Sequence, residues 1–297
     1  MARTARKVLL GREIDDLLRR SRVTQAEAGR LIGVGQSRIA AAIAGTGNLT
    51  AEALEKLITG LEIGDENYLQ ILLELREDNH RRGYWTSGYR RAYIEDLRLL
   101  VDLEAVADRL RETAAEIIPG LLQHPDYIRA LHQPFQPDDH DPDAITVDDY
   151  VEAREARQQI LFTRNPPEFH AILSESCLRR IYGGDQVMVD QIGHIIELSE
   201  RSNIQIQVMP FTHQAPGAGM EDRYILVRVP SPGAAGDLEM AVVEAQGEIR
   251  YIDDKPAVAI RDKIFNRLTM TALSPADSRK FMHHLLRGLR SRPTVAR

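Results

Sequence analysis

The chain of 297 residues contains a single cysteine, Cys177. One thiol excludes an internal disulfide and a cysteine-ligated zinc knuckle, and a reducing cytoplasm is the expected compartment. Aromatic residues make up only 5% of the sequence, so aliphatic cores are expected. No stretch approaches the ~20 apolar residues of a membrane span. The opening MARTARK has a leader's basic character, but the apolar run after it, Val8 to Gly11, meets Arg12, Glu13, Asp15 and Asp16 and is too short for export. Also missing are His-Glu-x-x-His, a Cys/His cluster, a glycine-rich phosphate loop and Gly-x-Ser-x-Gly. No cofactor, metal site or catalytic residue is therefore read from the sequence. Cys177 reads as a packing residue, and the acidic DDHDPD of Asp138 to Asp143 as a solvated loop.

What is present fits a globular protein of about two domains, since ~100–200 residues is usual for each. Net charge is −6 but uneven: residues 1–64 hold ten Lys/Arg against seven Asp/Glu, and residues 1–38 hold nine against four. A small basic head on an acidic body is the charge pattern of a DNA reader with an attached regulatory domain.

Hydrophobic periodicity divides the chain the same way. Val8 to Ser21 repeats apolar residues at Leu10, Ile14, Leu17 and Leu18. Thr24 stands three residues before Glu27, the spacing of a capping box, and Gly33 ends that helix. Gln36 to Ala44 and Asn48 to Gly60 follow as helices, and Tyr68 to Asn79 as another. The predicted organisation is α+β: an all-helical domain over 1–80, a hinge over 81–90, and a larger helical and mixed α/β domain over 91–297. In the latter, Arg91 to Ile118 reads as one or two amphipathic helices, broken at Pro119-Gly120. Alternating patterns at Glu168 to Leu173 and Asn203 to Met209 predict two parallel neighbouring strands joined by a helical crossover. Arg223 to Val229, Glu239 to Glu244 and Glu248 to Ile252 predict three more, and helices close the chain.

Within the first domain, Gly29, Gly33 and Ile39 stand where a helix-turn-helix needs a small contact residue, a left-handed turn and an apolar anchor. The second helix would then offer Gln36, Ser37 and Arg38 to a major groove, where Gln suits adenine and Arg suits guanine or phosphate. Gln25, at a helix start, is placed for a backbone phosphate. Arg19, Arg20, Arg22 and Arg30 would add sequence-independent attraction.

These residues resemble the XRE family of lambda-repressor/Cro-like helix-turn-helix regulators: Gln25, Gly33, Val34, Gln36, Ser37, Ile39 and Gly45 fit its run. Gly35 departs from the usual Ser cap, Ala40 and Ala41 from the usual Ser and Arg, and Ile43 from a frequent Glu. The rest of the chain, through IIPGLLQHPDYIRAL, ARQQILFT, AILSESCLRRIYGG, QVMVDQI, IQIQVMP and ALSPADS, resembles the domain of unknown function that follows this motif in actinobacterial regulators, including WhiJ-like ones. The resemblance implies a regulator of double-stranded DNA whose larger domain senses a small molecule or a small protein partner; a homodimer is expected because one short recognition helix gives little affinity and operators are commonly two-fold. Two alternatives stay open: a degenerate reader acting through its larger domain as a small-molecule binder or repurposed enzyme, and an antitoxin-like protein. The loop His213 to Tyr224, with Glu244 and Tyr251 on neighbouring strands, is the expected ligand region, so His213, Tyr224, Glu244 and Tyr251 are its candidate residues. Pro119 to Gln123 reads as a structural turn.

Overall fold

The computed structural model describes residues 3–77, 92–133, 145–220, 223–245 and 248–291. The expected hinge at 81–90 and the acidic loop at 138–143 lie outside the described residues. The fold is α+β. The chain forms two compact units, one of Met1–Ser87, Glu95–Val106 and Val229–Leu238, the other of Gly88–Ile94, Ala107–Arg228 and Glu239–Arg297.

In the first unit α1 (Ala5–Ser21), α2 (Gln25–Ile32), α3 (Gln36–Ile43), α4 (Ala51–Gly60) and α5 (Glu66–Arg76) follow one another closely. Side-chain caps fix where four of them begin: Thr4, Thr24, Thr50 and Asp65 each accept a hydrogen bond from the backbone of the first turn. The periodic apolar residues Ile14, Leu17, Ile39, Leu54, Leu57 and Leu72 are fully buried, each adding roughly 1.5–3 kcal/mol of apolar burial. Helix α6 (Glu95–Glu104) buries Leu99, Leu100 and Leu103 and packs on α1.

The second unit is built on a six-stranded sheet in the order β3-β2-β1-β4-β5-β6, from β1 (Arg109–Ala114), β2 (Glu168–Ser174), β3 (Ile204–Met209), β4 (Arg223–Val229), β5 (Leu238–Ala245) and β6 (Glu248–Ile252). β1, β2 and β3 run parallel, with Leu110 opposite Phe169 and Phe169 opposite Ile204. β4 joins the other side of β1 antiparallel, and β5 pairs β6 antiparallel. Helices α7 (Pro125–His132) and α8 (Val147–Gln158) connect β1 to β2; α9 (Glu175–Arg179) and α10 (Asp185–Leu198) connect β2 to β3. α11 (Lys255–Thr271) and α12 (Pro275–Arg290) end the chain. Val258, Phe265 and Leu268 of α11 complete a core with Ile172, Tyr224, Leu226 and Val243.

One expectation fails. The amphipathic helix read over Arg91 to Ile118 stops at Glu104, and Arg109–Ala114 is the central strand β1. Arg, Leu, Glu and Ala are good helix formers, but here pairing on both edges, with β2 and β4, overrides propensity.

Candidate functional site

The first unit fits a helix-turn-helix. The Thr24 hydroxyl donates to Glu27 Oε2 at 2.6 Å, and the Thr24 backbone N–H donates to the same oxygen at 2.8 Å. These bonds hold the Glu27 carboxyl below its usual pKa and fix the start of α2. Gly33 turns the chain in a left-handed conformation, φ 74°, that a side chain would strain. α3 then begins at Gly35, which offers no side-chain cap.

Two close approaches hold α3 in place. A Cβ at Gly29 would lie 2.7 Å from the Val34 carbonyl oxygen, and one at Gly11 would lie 2.3 Å from that of Ile43 and 2.6 Å from that of Ala42. Contacts this short are not available to any side chain, so α2 and α1 grip α3 through backbone at both ends, with Ile39 buried between. The alanines belong to this packing. Ala42 is buried, Ala40 and Ala41 are half-buried, and a Cβ at Gly47 would meet Ala41 Cβ at 2.9 Å.

Gln36, Ser37 and Arg38 stand exposed on the first turn of α3, with Arg22 and Arg30 exposed nearby in sequence; Gln25 is half-buried. Arg38 Nη2 lies 3.5 Å from the Asn48 carbonyl, the outer limit of a hydrogen bond. Arg19 and Arg20 are ion-paired on α1, to Asp15 at 3.1 Å and Asp16 at 2.7 Å, which offsets their charge locally.

The same unit holds a polar centre that sequence reasoning missed. Glu13 of α1 is fully buried. Its carboxylate accepts from Ser231 Oγ at 2.5 Å, Ala234 N at 2.9 Å, Ala235 N at 3.2 Å and Tyr68 Oη at 3.0 Å. A Cβ at Gly233 would stand 2.5 Å from this carboxylate, so any side chain there would have to displace it. Burial, then the Glu13 charge, raises the Tyr68 pKa, keeping the phenol protonated as a donor.

Of the four expected ligand residues in the second unit, His213 lines a groove and the other three are not among the residues that line it. The groove, of about 370 Å³, is also lined by Ser174, Met209, Phe211, Met220 and Leu268. Ser174 and Met209 are the last residues of β2 and β3, so the groove opens at the carboxyl ends of parallel strands. The His213 Nδ1 lies 2.9 Å from the Thr271 carbonyl oxygen, to which it donates. Tyr224 is instead a core residue: it is buried, and its hydroxyl donates to the Arg261 carbonyl at 3.1 Å. Tyr251 is half-buried on β6, opposite Val242. Glu244, on β5, pairs with Arg223 at 3.0 Å.

The family model described as a domain of unknown function, DUF5753, matches residues 97–284. The chain belongs to the DUF5753 family. No curated protein and no solved structure matches the chain significantly.

The DUF5753 segment spans all six strands and contains a second polar centre absent from the sequence reading. Arg223 bridges Glu112 of β1, at 3.2 Å, and Glu244 of β5, at 3.0 Å. Glu112 is 2% exposed and would be strongly disfavoured as a charge without this partner. Arg154 and Arg157 of α8 lie against Gly120 of the Pro119–Gln123 turn. The turn is also packed as expected. Leu121 and Leu122 are buried, Gln158 Nε2 donates to the Gly120 and Gln123 carbonyls at 2.9 and 2.8 Å, and Gln191 Nε2 donates to the Leu122 carbonyl at 2.7 Å. One signal for the DUF5753 centre was available: Arg154 and Arg157 are three apart on a helix whose Val151, Ala153 and Gln158 are buried, so arginines there point partly inward.

Proposed function

We propose that this DUF5753 protein is a sequence-specific transcription regulator that binds double-stranded DNA through an XRE-type helix-turn-helix, as a cytoplasmic homodimer, and senses a small molecule or protein partner through its larger domain. The observation that carries the reading is the exposed Gln36-Ser37-Arg38 turn on a helix gripped at both ends by backbone contact. Gln and Arg on the first turn are the side chains that bond adenine and guanine edges in bidentate fashion, and a rigid support fixes them for a groove. The alanines after them weigh less against the reading than their number implies, because Ala41 is needed small where Gly47 approaches and Ala42 is buried. Dimerisation follows from the small area of one short helix and from the two-fold symmetry of most operators.

The test is selection of bound duplexes from a random pool, followed by fluorescence anisotropy at two salt concentrations. An enriched sequence and a steep salt dependence are expected. Gln36→Ala would relax preference at one base position by ~1–3 kcal/mol. Failure to enrich any sequence would remove the reading.

A further inference from the structure

Arg154 carries an unusual arrangement of charge. Its Nε is buried without a hydrogen-bond partner among the described residues. A Cβ on Gly120 would lie 2.1 Å from Arg154 Nη1 and 3.4 Å from Arg157 Nη1, so two guanidiniums of like charge meet at one backbone step. Arg223 acts on Arg154 as a third cation, opposed in part by the Glu244 carboxylate, which is itself bonded to Arg223. The carboxylates of the cluster, Glu112 and Glu244, are both bonded to Arg223. Arg157 keeps partners of its own; among the described residues, the two carboxylates of the cluster are ion-paired to Arg223 and not to Arg154. Burial first, and then the Arg157 charge, lowers its pKa to about 10, which leaves it protonated at neutral pH. Enclosing a permanent cation among like charges is costly unless an anion completes the set. Arg154 as a whole residue is half-buried, with its Nε enclosed.

We propose that Arg154 and Arg157, together with Gly120, form a binding site for an oxyanion, the carboxylate or phosphate group of a small molecule. A guanidinium presents paired N–H donors that match such a group in two parallel bonds, and a neighbouring cation strengthens the attraction. Glycine at 120 lets Arg154 Nη1 approach the backbone where every other residue would displace it. The two hydrogen bonds from Gln158 hold that backbone step in place. The site lies on the connection that leaves the carboxyl end of β1, where β1 has a parallel neighbour on one side and an antiparallel one on the other. Crevices beyond strand carboxyl ends are the common ligand positions of such sheets. The proposal does not depend on DNA binding.

The full-length protein would be titrated with sodium phosphate and with sodium acetate against sodium chloride at matched ionic strength, followed by thermal melting and calorimetry. Saturable stabilisation by phosphate, by acetate or by both, beyond chloride, is expected; the two arms distinguish the source of the oxyanion. Arg154→Met should weaken that binding by about tenfold or more, as expected for loss of a charge-assisted bond pair. Arg154→Lys, which keeps the charge without the fork, should weaken it less. Gly120→Ala should weaken it by moving Nη1. Should Arg154→Met fail to fold, the wild-type titration and the lysine variant still decide. Equal melting in all three salts, or retention of the effect by a folded Arg154→Met, overturns the proposal. Anion binding without DNA selection would leave this site standing and remove only the regulator reading.

Discussion

The Glu13 carboxylate and the Ser231 hydroxyl lie 2.5 Å apart, although 218 positions separate them in sequence. Ala234 and Ala235 close the same carboxylate with their backbone amides. Replacing Glu13 by Ala would leave a hydroxyl, two amides and the Tyr68 phenol without this acceptor. Each unmade buried bond costs ~1–3 kcal/mol. Chemical denaturation should show a loss of at least about 3 kcal/mol for Glu13→Ala and a smaller one for Glu13→Gln. Equal midpoints for wild type and Glu13→Ala would show that the cluster contributes nothing to stability.

The grip on α3 should be as sensitive to one methyl group. Gly29→Ala would bring a Cβ against the Val34 carbonyl, and Gly11→Ala one against those of Ile43 and Ala42. Both approaches are to backbone, so relief requires helix movement, at ~1–3 kcal/mol or more. Melting temperatures of the two variants should fall together, whereas Gly64→Ala, a position with open space for a Cβ, should leave the melt nearly unchanged.

If the proposed DNA reading holds, Arg22 and Arg30 contribute affinity without selectivity, being exposed charges at the end of α1 and in the last turn of α2. Arg22→Ala and Arg30→Ala should each weaken all duplexes by a similar factor and reduce the slope of log affinity on log salt by ~1 for each phosphate no longer neutralised. A change in preferred sequence instead would move these arginines into base readout.

Three histidines should make folding stability depend on pH. Burial depresses the pKa values of His132, His170 and His194 below the usual 6.5, with the Arg154 charge adding to the effect at His132, the Arg111 charge at His170 and the His124 charge at His194. The neutral forms are favoured in the folded chain, so below pH 6.5 the unfolded chain binds more protons and stability falls. The melting temperature should therefore decline as pH drops from 7 toward the depressed folded values. His170→Gln, which keeps a donor for the Gln207 side-chain oxygen that lies 2.8 Å from His170 Nε2, should flatten that decline. An unchanged slope in the variant would exclude His170 from the effect.

Cys177 should be inert in the native state. It is fully buried, burial raises its pKa, and its Sγ donates to the Ser174 carbonyl at 3.1 Å. A thiol reagent should modify it only at the rate of unfolding, with denaturant accelerating the reaction in parallel with loss of structure. Rapid stoichiometric labelling of the folded protein would contradict this.

Much of the fold was legible wherever local signals agreed. Thr24 with Glu27, and Gly33 after them, marked α2 and its turn because capping and left-handed geometry are written in adjacent residues. Strand β2 was legible from the alternation over Glu168 to Leu173, although Ala171, Ile172 and Leu173 are buried in succession. β1 was not, because Arg-Leu-Arg-Glu-Thr-Ala has helical preferences and becomes a strand only through partners distant in sequence. The polar centres were hidden for the same reason. Helical spacing from Leu10 to Leu17 did put Glu13 on the inner face of α1, but the acceptor's purpose depends on Ser231, Ala234 and Ala235. Arg223 and Glu112 likewise find each other across two strands. The loop at His213 was legible as part of a groove, while Tyr224 was not legible as core, since alternation alone does not say which face of a strand is covered.

If α3 reads DNA as proposed, the backbone clamp on it also bears on how that reading could be redirected. With Gly11, Gly29 and Gly47 touching fixed atoms and Ile39 enclosed, variation along that helix is tolerated chiefly at its leading turn. A library aimed at new operators is best confined to positions 36, 37 and 38, leaving the alanine tail as an invariant chassis.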